Sequence, residues 1–347
     1  MPARGLDSSP DALPSTMRIC QVLAAAEDGG VENHVYALAG ALAERGDDVA
    51  LIAHSKHATS VCSNVAFHAL DLTRSRRNPL ARRDLQRAIA AAKPDVVHAH
   101  AGKAAALVAA LALPCPTVGT VHGTKRDLAA YKRFTQVIGV SQGVIDQLDH
   151  PAKAVVYHGV PAPKPGAGAC RQTIARELGI DPNRPLSLAV GRLVPVKGFH
   201  TLIEFWHEDL GNLVIAGEGP ERRRLQRLAA GRPVVLAGFR GDVRNLMQAA
   251  DLLVISSTRE AFHLGMAEAL RERLPVVSTR VCGPEEILPP EQLADSGSLE
   301  ATIRRSLLDL DATRGRMAPT FDWAERTLTV ERMVDETRRV YTQAMAA

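Results

Sequence analysis

Short apolar runs alternate with stretches of helical spacing along almost the whole chain, and this alternation predicts a parallel α/β architecture. Arg18-Ile-Cys-Gln-Val-Leu23 reads as a strand. A Gly-Gly turn follows, and amphipathic spacing predicts a helix from Glu32 to Arg45, closed by Gly46 before the strand Val49–Ala53. Asp95–His98, Pro116–Val121 and Gln136–Val140 are further apolar runs, each flanked by helix-like sequence. The longest apolar stretch, Ala104 to Leu113, stops at Pro114, well short of the roughly 18 residues that cross a bilayer, and reads as a buried helix.

The composition then turns to Pro and Gly between Pro161 and Ala169, which marks a linker. A second series of strands is expected at Leu186–Val190, Leu213–Ala216, Val234–Ala237, Leu252–Ile255 and Pro275–Ser278. With 347 residues the chain exceeds one ordinary core, so two doubly wound domains are expected. The sequence divides into a loose leader at 1–16, a first Rossmann-like domain at 17–164, a second at 165–321, and a helical segment at 322–347 that crosses back onto the first domain.

Composition fits a soluble enzyme, with 46% hydrophobic and 23% charged residues. Residues 1–16 lack the apolar stretch of a secretory signal, so a cytoplasmic chain is expected. Cys20, Cys62, Cys115, Cys170 and Cys282 are odd in number and never paired as Cys-x-x-Cys, which indicates neither a disulfide framework nor a zinc site. The net charge of +4 is uneven. Arg74, Arg76, Arg77, Arg82, Arg83 and Arg87 face only Asp84, either as a solvated helix face or as a peripheral contact with an anionic inner membrane. Nothing in the pattern points to nucleic acid.

Candidate chemistry gathers after the strands of the second half, where open α/β sheets bind ligands. Gly191-Arg-Leu-Val-Pro-Val-Lys-Gly198 offers two cations, Arg192 and Lys197, at one strand end, a pairing that suits a diphosphate. Glu260 and Glu268 fall where the strand at Leu252 hands over to a helix. On one straight helix eight residues separate two side chains by about 12 Å along the axis and about 80° around it. That spacing suits two ends of a long ligand rather than a dyad on one bond. Gly217-Glu-Gly219 resembles a dinucleotide turn, but Arg222 stands in place of the third glycine and no acid follows about 20 residues on, which argues against a dehydrogenase.

The order and spacing of the Gly191…Lys197-Gly198 loop, the Gly217-Glu-Gly-Pro-Glu221 turn, the Glu260…Glu268 segment and Gly283-Pro-Glu-Glu286 resemble the retaining GT-B glycosyltransferases of family 4, from Met17 to the last helix. The resemblance implies two Rossmann-like doubly wound domains facing a central cleft. It implies a nucleotide-sugar donor as substrate, a glycan or lipid-linked acceptor, and neither cofactor nor metal. Arg192 and Lys197 would hold the diphosphate, Glu260 the sugar hydroxyls and Glu268 the ribose. The amides of Leu264 and Gly265 would cap the phosphates, and Arg240 would flank the base. Gly29 and Gly30 resemble the family's Gly-Gly loop, Gly191 and Gly217 its donor-side turns, and His122 the histidine that faces the sugar. His98, His100 and Lys103 would line the acceptor side or serve packing.

Departures are also visible. His263 stands where relatives carry Gly and is expected to re-line the sugar pocket, and His158-Gly159 replaces an Asn-Gly turn. The expected reaction is retaining transfer of a hexosyl group in bacterial cell-surface polysaccharide or lipopolysaccharide biosynthesis. The alternatives are a sugar-nucleotide epimerase of the same fold and a non-catalytic nucleotide-sugar-binding protein.

Overall fold

Strands rich in Val, Ile, Leu and Ala, buried on both faces, cannot end a sheet in water and therefore pair on both sides. In the computed structural model, which describes residues 16–25, 29–75, 78–123, 128–163 and 170–347, they form two wholly parallel sheets. The first holds β1 (Arg18–Leu23), β2 (Asp48–Ala53), β3 (Ala66–Ala69), β4 (Val96–His100), β5 (Thr117–Val121), β6 (Gln136–Gly139) and β7 (Lys153–Val155) in the order β3-β2-β1-β4-β5-β6-β7. The second holds β8 (Leu186–Val190), β9 (Asn212–Ala216), β10 (Val234–Gly238), β11 (Leu252–Ile255), β12 (Val276–Thr279) and β13 (Leu293–Ala294) in the order β10-β9-β8-β11-β12-β13. Strand order reverses between β1 and β4 and between β8 and β11, and at such switch points crevices open at the carboxyl ends of the strands.

The paired glutamates, the glycine loops and the two cations all lie beyond these carboxyl ends. The short strands β3, β7 and β13 were not legible as apolar runs. They are two to four residues long, and β3 and β7 are part-exposed, so neither length nor periodicity distinguishes them. The leader expected at 1–16 and the linker between Pro161 and Ala169 fall largely outside the described residues, as do Arg76 and Arg77.

The chain returns to the first domain at its end. Helix Leu310–Thr327 packs beside helix Leu264–Arg271 of the second domain. The crossing follows at Leu328–Thr329, where Val160 donates its amide to the Leu328 carbonyl (3.0 Å). Helix Val330–Ala346 then covers helix Gly30–Glu44. Tyr341 is fully buried there and its hydroxyl bonds His98 Nδ1 (2.7 Å), while Arg338 pairs with Asp47 in a dry setting. Among the described residues no helix is long and apolar enough to cross a membrane.

Candidate active site

Three strand-end loops of the second domain are laced by backbone bonds. The Gly191 amide donates to the Ala216 carbonyl (3.0 Å), the Leu193 amide to the Glu218 carbonyl (2.8 Å) and the Gly217 amide to the Gly238 carbonyl (2.7 Å). Gly217 adopts φ 152°, and a Cβ there would lie 1.9 Å from the Gly191 carbonyl oxygen, so no side chain fits. Gly198 adopts φ 65°, and a Cβ there would meet the Ser256 carbonyl at 2.1 Å. The turn Pro195–Lys197 is thereby pinned onto the end of β11: Ser256 Oγ donates to the Lys197 carbonyl (2.8 Å) and the Thr258 amide to the Val196 carbonyl (2.9 Å).

This pinning decides where Lys197 points. Its Nζ meets Glu260 Oε2 at 2.5 Å, with both side chains less than one-fifth exposed, and Ser257 Oγ also donates to that carboxylate (3.3 Å). The sequence separated these two residues by 63 positions, and the fold makes them partners. Arg192 lies on the exposed start of the same loop. A cation and a carboxylate side by side can grip a phosphate and a hydroxyl of one ligand in turn.

His263 is the N-cap of helix Leu264–Arg271. Its Nδ1 accepts from the Met266 amide (3.1 Å), and its ring lies over Gly265, where a Cβ would come within 3.1 Å of Cε1. Burial above all, with Lys197 nearby, holds its pKa well below the usual value, and the ring also bonds the Val190 backbone. The His263 side chain therefore braces the helix start against β8. Among the described residues no acceptor is recorded for the Leu264 and Gly265 amides, which stand at the positive end of the helix. Gly30 of the first domain lies opposite: a Cβ there would come within 3.9 Å of the Leu264 side chain. Gly30, at the start of helix Gly30–Glu44, thus brings the first domain against the start of helix Leu264–Arg271.

Glu268 lies one helical turn beyond Leu264, half-buried. Desolvation raises its pKa to about 7, with Arg244 opposing and Glu272 adding to the shift. Arg240 is committed within its own domain: its guanidinium is shared between Asp242 (2.7 Å) and Glu177, which raises its pKa. It braces the loop after β10, and the neighbouring Phe239, 77% exposed, presents an apolar ring at the tip. Glu286, from the Gly283 motif, ties the two domains together by accepting from the Gln142 amide (2.7 Å) and from the Tyr157 hydroxyl.

In the first domain His122 follows β5 and belongs to a cluster. His34, His98, His100, His122 and His158 pack ring against ring, and burial lowers the pKa of each, His98 to about 3 and His158 to about 4. His98 spends both nitrogens on Tyr341 and on Thr120 Oγ1 (2.6 Å), which makes it a packing residue. Lys103 reaches the Thr73 carbonyl. His34 was not singled out from sequence; its place on the first turns of helix Gly30–Glu44, five residues after Gly29, is the signal that could have found it.

Two parallel-sheet domains whose loops meet at the strand ends define the GT-B fold. The chain matches solved structures of this type along nearly its whole length: Anabaena HepE in complex with UDP and glucose (TM-score 0.78, 21% identity, 94% of this chain and 99% of that one) and WaaG, a glycosyltransferase involved in lipopolysaccharide biosynthesis (TM-score 0.71, 18% identity, 93% and 99%). Residues 28–162 match the Glycosyltransferase Family 4 model and residues 171–311 the Glycosyl transferases group 1 model, and the chain belongs to this glycosyltransferase family. Similar curated proteins include the putative teichuronic acid biosynthesis glycosyltransferase TuaC of Bacillus subtilis (30% identical over 222 residues, 57% of this chain and 56% of that protein). The lipopolysaccharide core biosynthesis glycosyltransferase LpsE of Rhizobium meliloti is 34% identical over 148 residues, 40% of this chain and 43% of that protein. The matches span about half the length of these two relatives.

Proposed function

We propose that the chain transfers a hexosyl group from a nucleotide-sugar donor to a hydroxyl of a glycan or lipid-linked acceptor, with retention of anomeric configuration. The observation that carries this reading is the convergence of Lys197, Glu260 and the Leu264–Gly265 amides opposite Gly30. The diphosphate occupies the helix start, where amides and dipole favour negative charge. Arg192 and Lys197 neutralise the charge that grows on the leaving nucleoside diphosphate, which makes a metal unnecessary for that step. On donor binding Lys197 exchanges the Glu260 carboxylate for phosphate, and Glu260 turns to the sugar hydroxyls.

Glu268 accepts from the ribose hydroxyls, and Phe239 offers its ring to the base. His122, kept neutral by burial, faces the sugar from the first domain. The acceptor oxygen attacks C1 on the face the phosphate leaves. The C1–O bond to phosphate breaks, and the acceptor proton passes to the departing phosphate oxygen, so no protein carboxylate needs to bond the sugar. The names of TuaC, LpsE and WaaG favour a cell-surface polysaccharide or lipopolysaccharide as the product.

The test is incubation of purified protein with labelled nucleotide sugars, with Arg192→Ala alongside. Donor turnover that collapses in the variant is the expected result. Turnover undiminished in Arg192→Ala removes the phosphate assignment, and donor conversion without any acceptor product favours the epimerase alternative.

A further inference from the structure

The histidine cluster of the first domain exceeds what sugar recognition needs. His34 lies on helix Gly30–Glu44, His122 just after β5 and His158 just after β7, so three separate elements deliver imidazoles to one spot. One ligand nitrogen from each lies within 4.8 Å of the others. Their ring centres are 4.9 Å apart for His34 and His122, 4.4 Å for His34 and His158, and 5.4 Å for His122 and His158. A tetrahedral cation with metal–nitrogen bonds of about 2.1 Å keeps its imidazole centres about 5 Å apart. The ring spacings are therefore near those of a three-histidine shell, with His34 and His158 the tighter pair.

Hydrogen bonding points the same way. His34 and His158 approach Nδ1 to Nδ1 at 2.7 Å, one donating and one accepting; a cation would replace that proton and part the nitrogens to about 3.4 Å, the span of two tetrahedral bonds of about 2.1 Å. Among the described residues the buried His122 Nδ1 meets no partner, while its Nε2 lies 3.3 Å from His100 Nδ1. With Nε2 donating to His100, His122 keeps a lone pair on Nδ1, the tautomer that metal-bound histidines adopt when an outer partner takes the other N–H. Burial keeps the three rings neutral, the form that ligates.

We propose that His34, His122 and His158 bind one divalent transition-metal cation of the zinc class, with water at the fourth position and His100 as the outer partner of His122. The cation ties the start of helix Gly30–Glu44 to the ends of β5 and β7 and shares His122 with the sugar side proposed above, while its visible spectrum reads ligation without any turnover. Nitrogen-only donors select such a cation over Mg²⁺ or Ca²⁺, which take oxygen ligands.

The experiment uses full-length, tag-free protein stripped with chelator and titrated with Co²⁺, whose visible bands report tetrahedral nitrogen ligation, followed by displacement with Zn²⁺. One Co²⁺ per chain is expected, and Mg²⁺ should not displace it. His158→Asn and His34→Gln, each checked for native circular dichroism, should weaken binding at least tenfold, whereas His207→Ala, on the surface of the second domain, should leave it unchanged. Absence of the bands in the parent overturns the proposal. So does parent-like affinity in either folded cluster variant, or binding that is lost with His207→Ala.

Discussion

Glu268→Gln separates what the cleft contributes to binding from what it takes from stability. In the folded chain desolvation lifts the Glu268 carboxyl from its usual 4.5 to about 7. A displacement of that size corresponds to at most about 3 kcal/mol, and solvent in the cleft reduces it toward about 1–2 kcal/mol. Because the folded value lies above the unfolded one, the penalty is absent below the unfolded pKa, grows as pH rises, and is complete above about 7. Gln keeps the shape and removes the charge. Urea denaturation should therefore find Glu268→Gln more stable than the parent by about 1–2 kcal/mol at pH 8, with the gap shrinking below about 1 kcal/mol near pH 5. The same variant should bind nucleoside diphosphates more weakly, since an amide accepts ribose hydroxyls less well than a carboxylate. Equal or lower stability at pH 8, or a gap that does not change with pH, refutes the account of a carboxylate held in a desolvated place for a ligand.

Three further outcomes follow from particular contacts. Arg338→Ala leaves the fully buried Asp47 carboxylate without its cation and should lower stability by about 3–5 kcal/mol in chemical denaturation; a loss below about 1 kcal/mol contradicts the dry pairing. His263→Ala removes the helix cap and should cost about 1 kcal/mol, read as a lower urea midpoint, whereas an unchanged midpoint denies the cap its role. Glu286→Ala breaks the link to Gln142 and Tyr157 and should give a larger radius of gyration by small-angle scattering in the ligand-free chain, reversed by donor; an unchanged radius removes Glu286 as a tie between the domains.

The fold was legible because its central strands are mostly apolar, as those at Arg18–Leu23, Leu186–Val190 and Leu252–Ile255 illustrate. Loop motifs placed Lys197, Glu260 and the Leu264 helix start at strand ends, since Gly and charged residues there serve no packing need. What was hidden depends on contacts between distant positions. No local pattern shows that Lys197 and Glu260 pair, that His263 turns inward to cap its own helix, or that Arg240 is clamped by Glu177 from an earlier helix. The histidine cluster was hidden for the same reason, its members being spread from position 34 to position 158. The glutamate spacing misled in one respect: Glu260 lies in the loop before helix Leu264–Arg271 and only Glu268 is on it, so straight-helix geometry does not set their separation.

The central claim is that Lys197, beside Glu260 and the Leu264 helix start, holds the diphosphate of a nucleotide. Calorimetric titration of UDP, GDP and ADP, each against its nucleoside, into the parent and Lys197→Ala tests it most directly. The account predicts that at least one diphosphate binds the parent about tenfold or more tightly than its nucleoside, the scale of one charge-assisted bond, and that Lys197→Ala erases most of that advantage. A diphosphate advantage left intact in Lys197→Ala, or no advantage for any diphosphate in the parent, contradicts it.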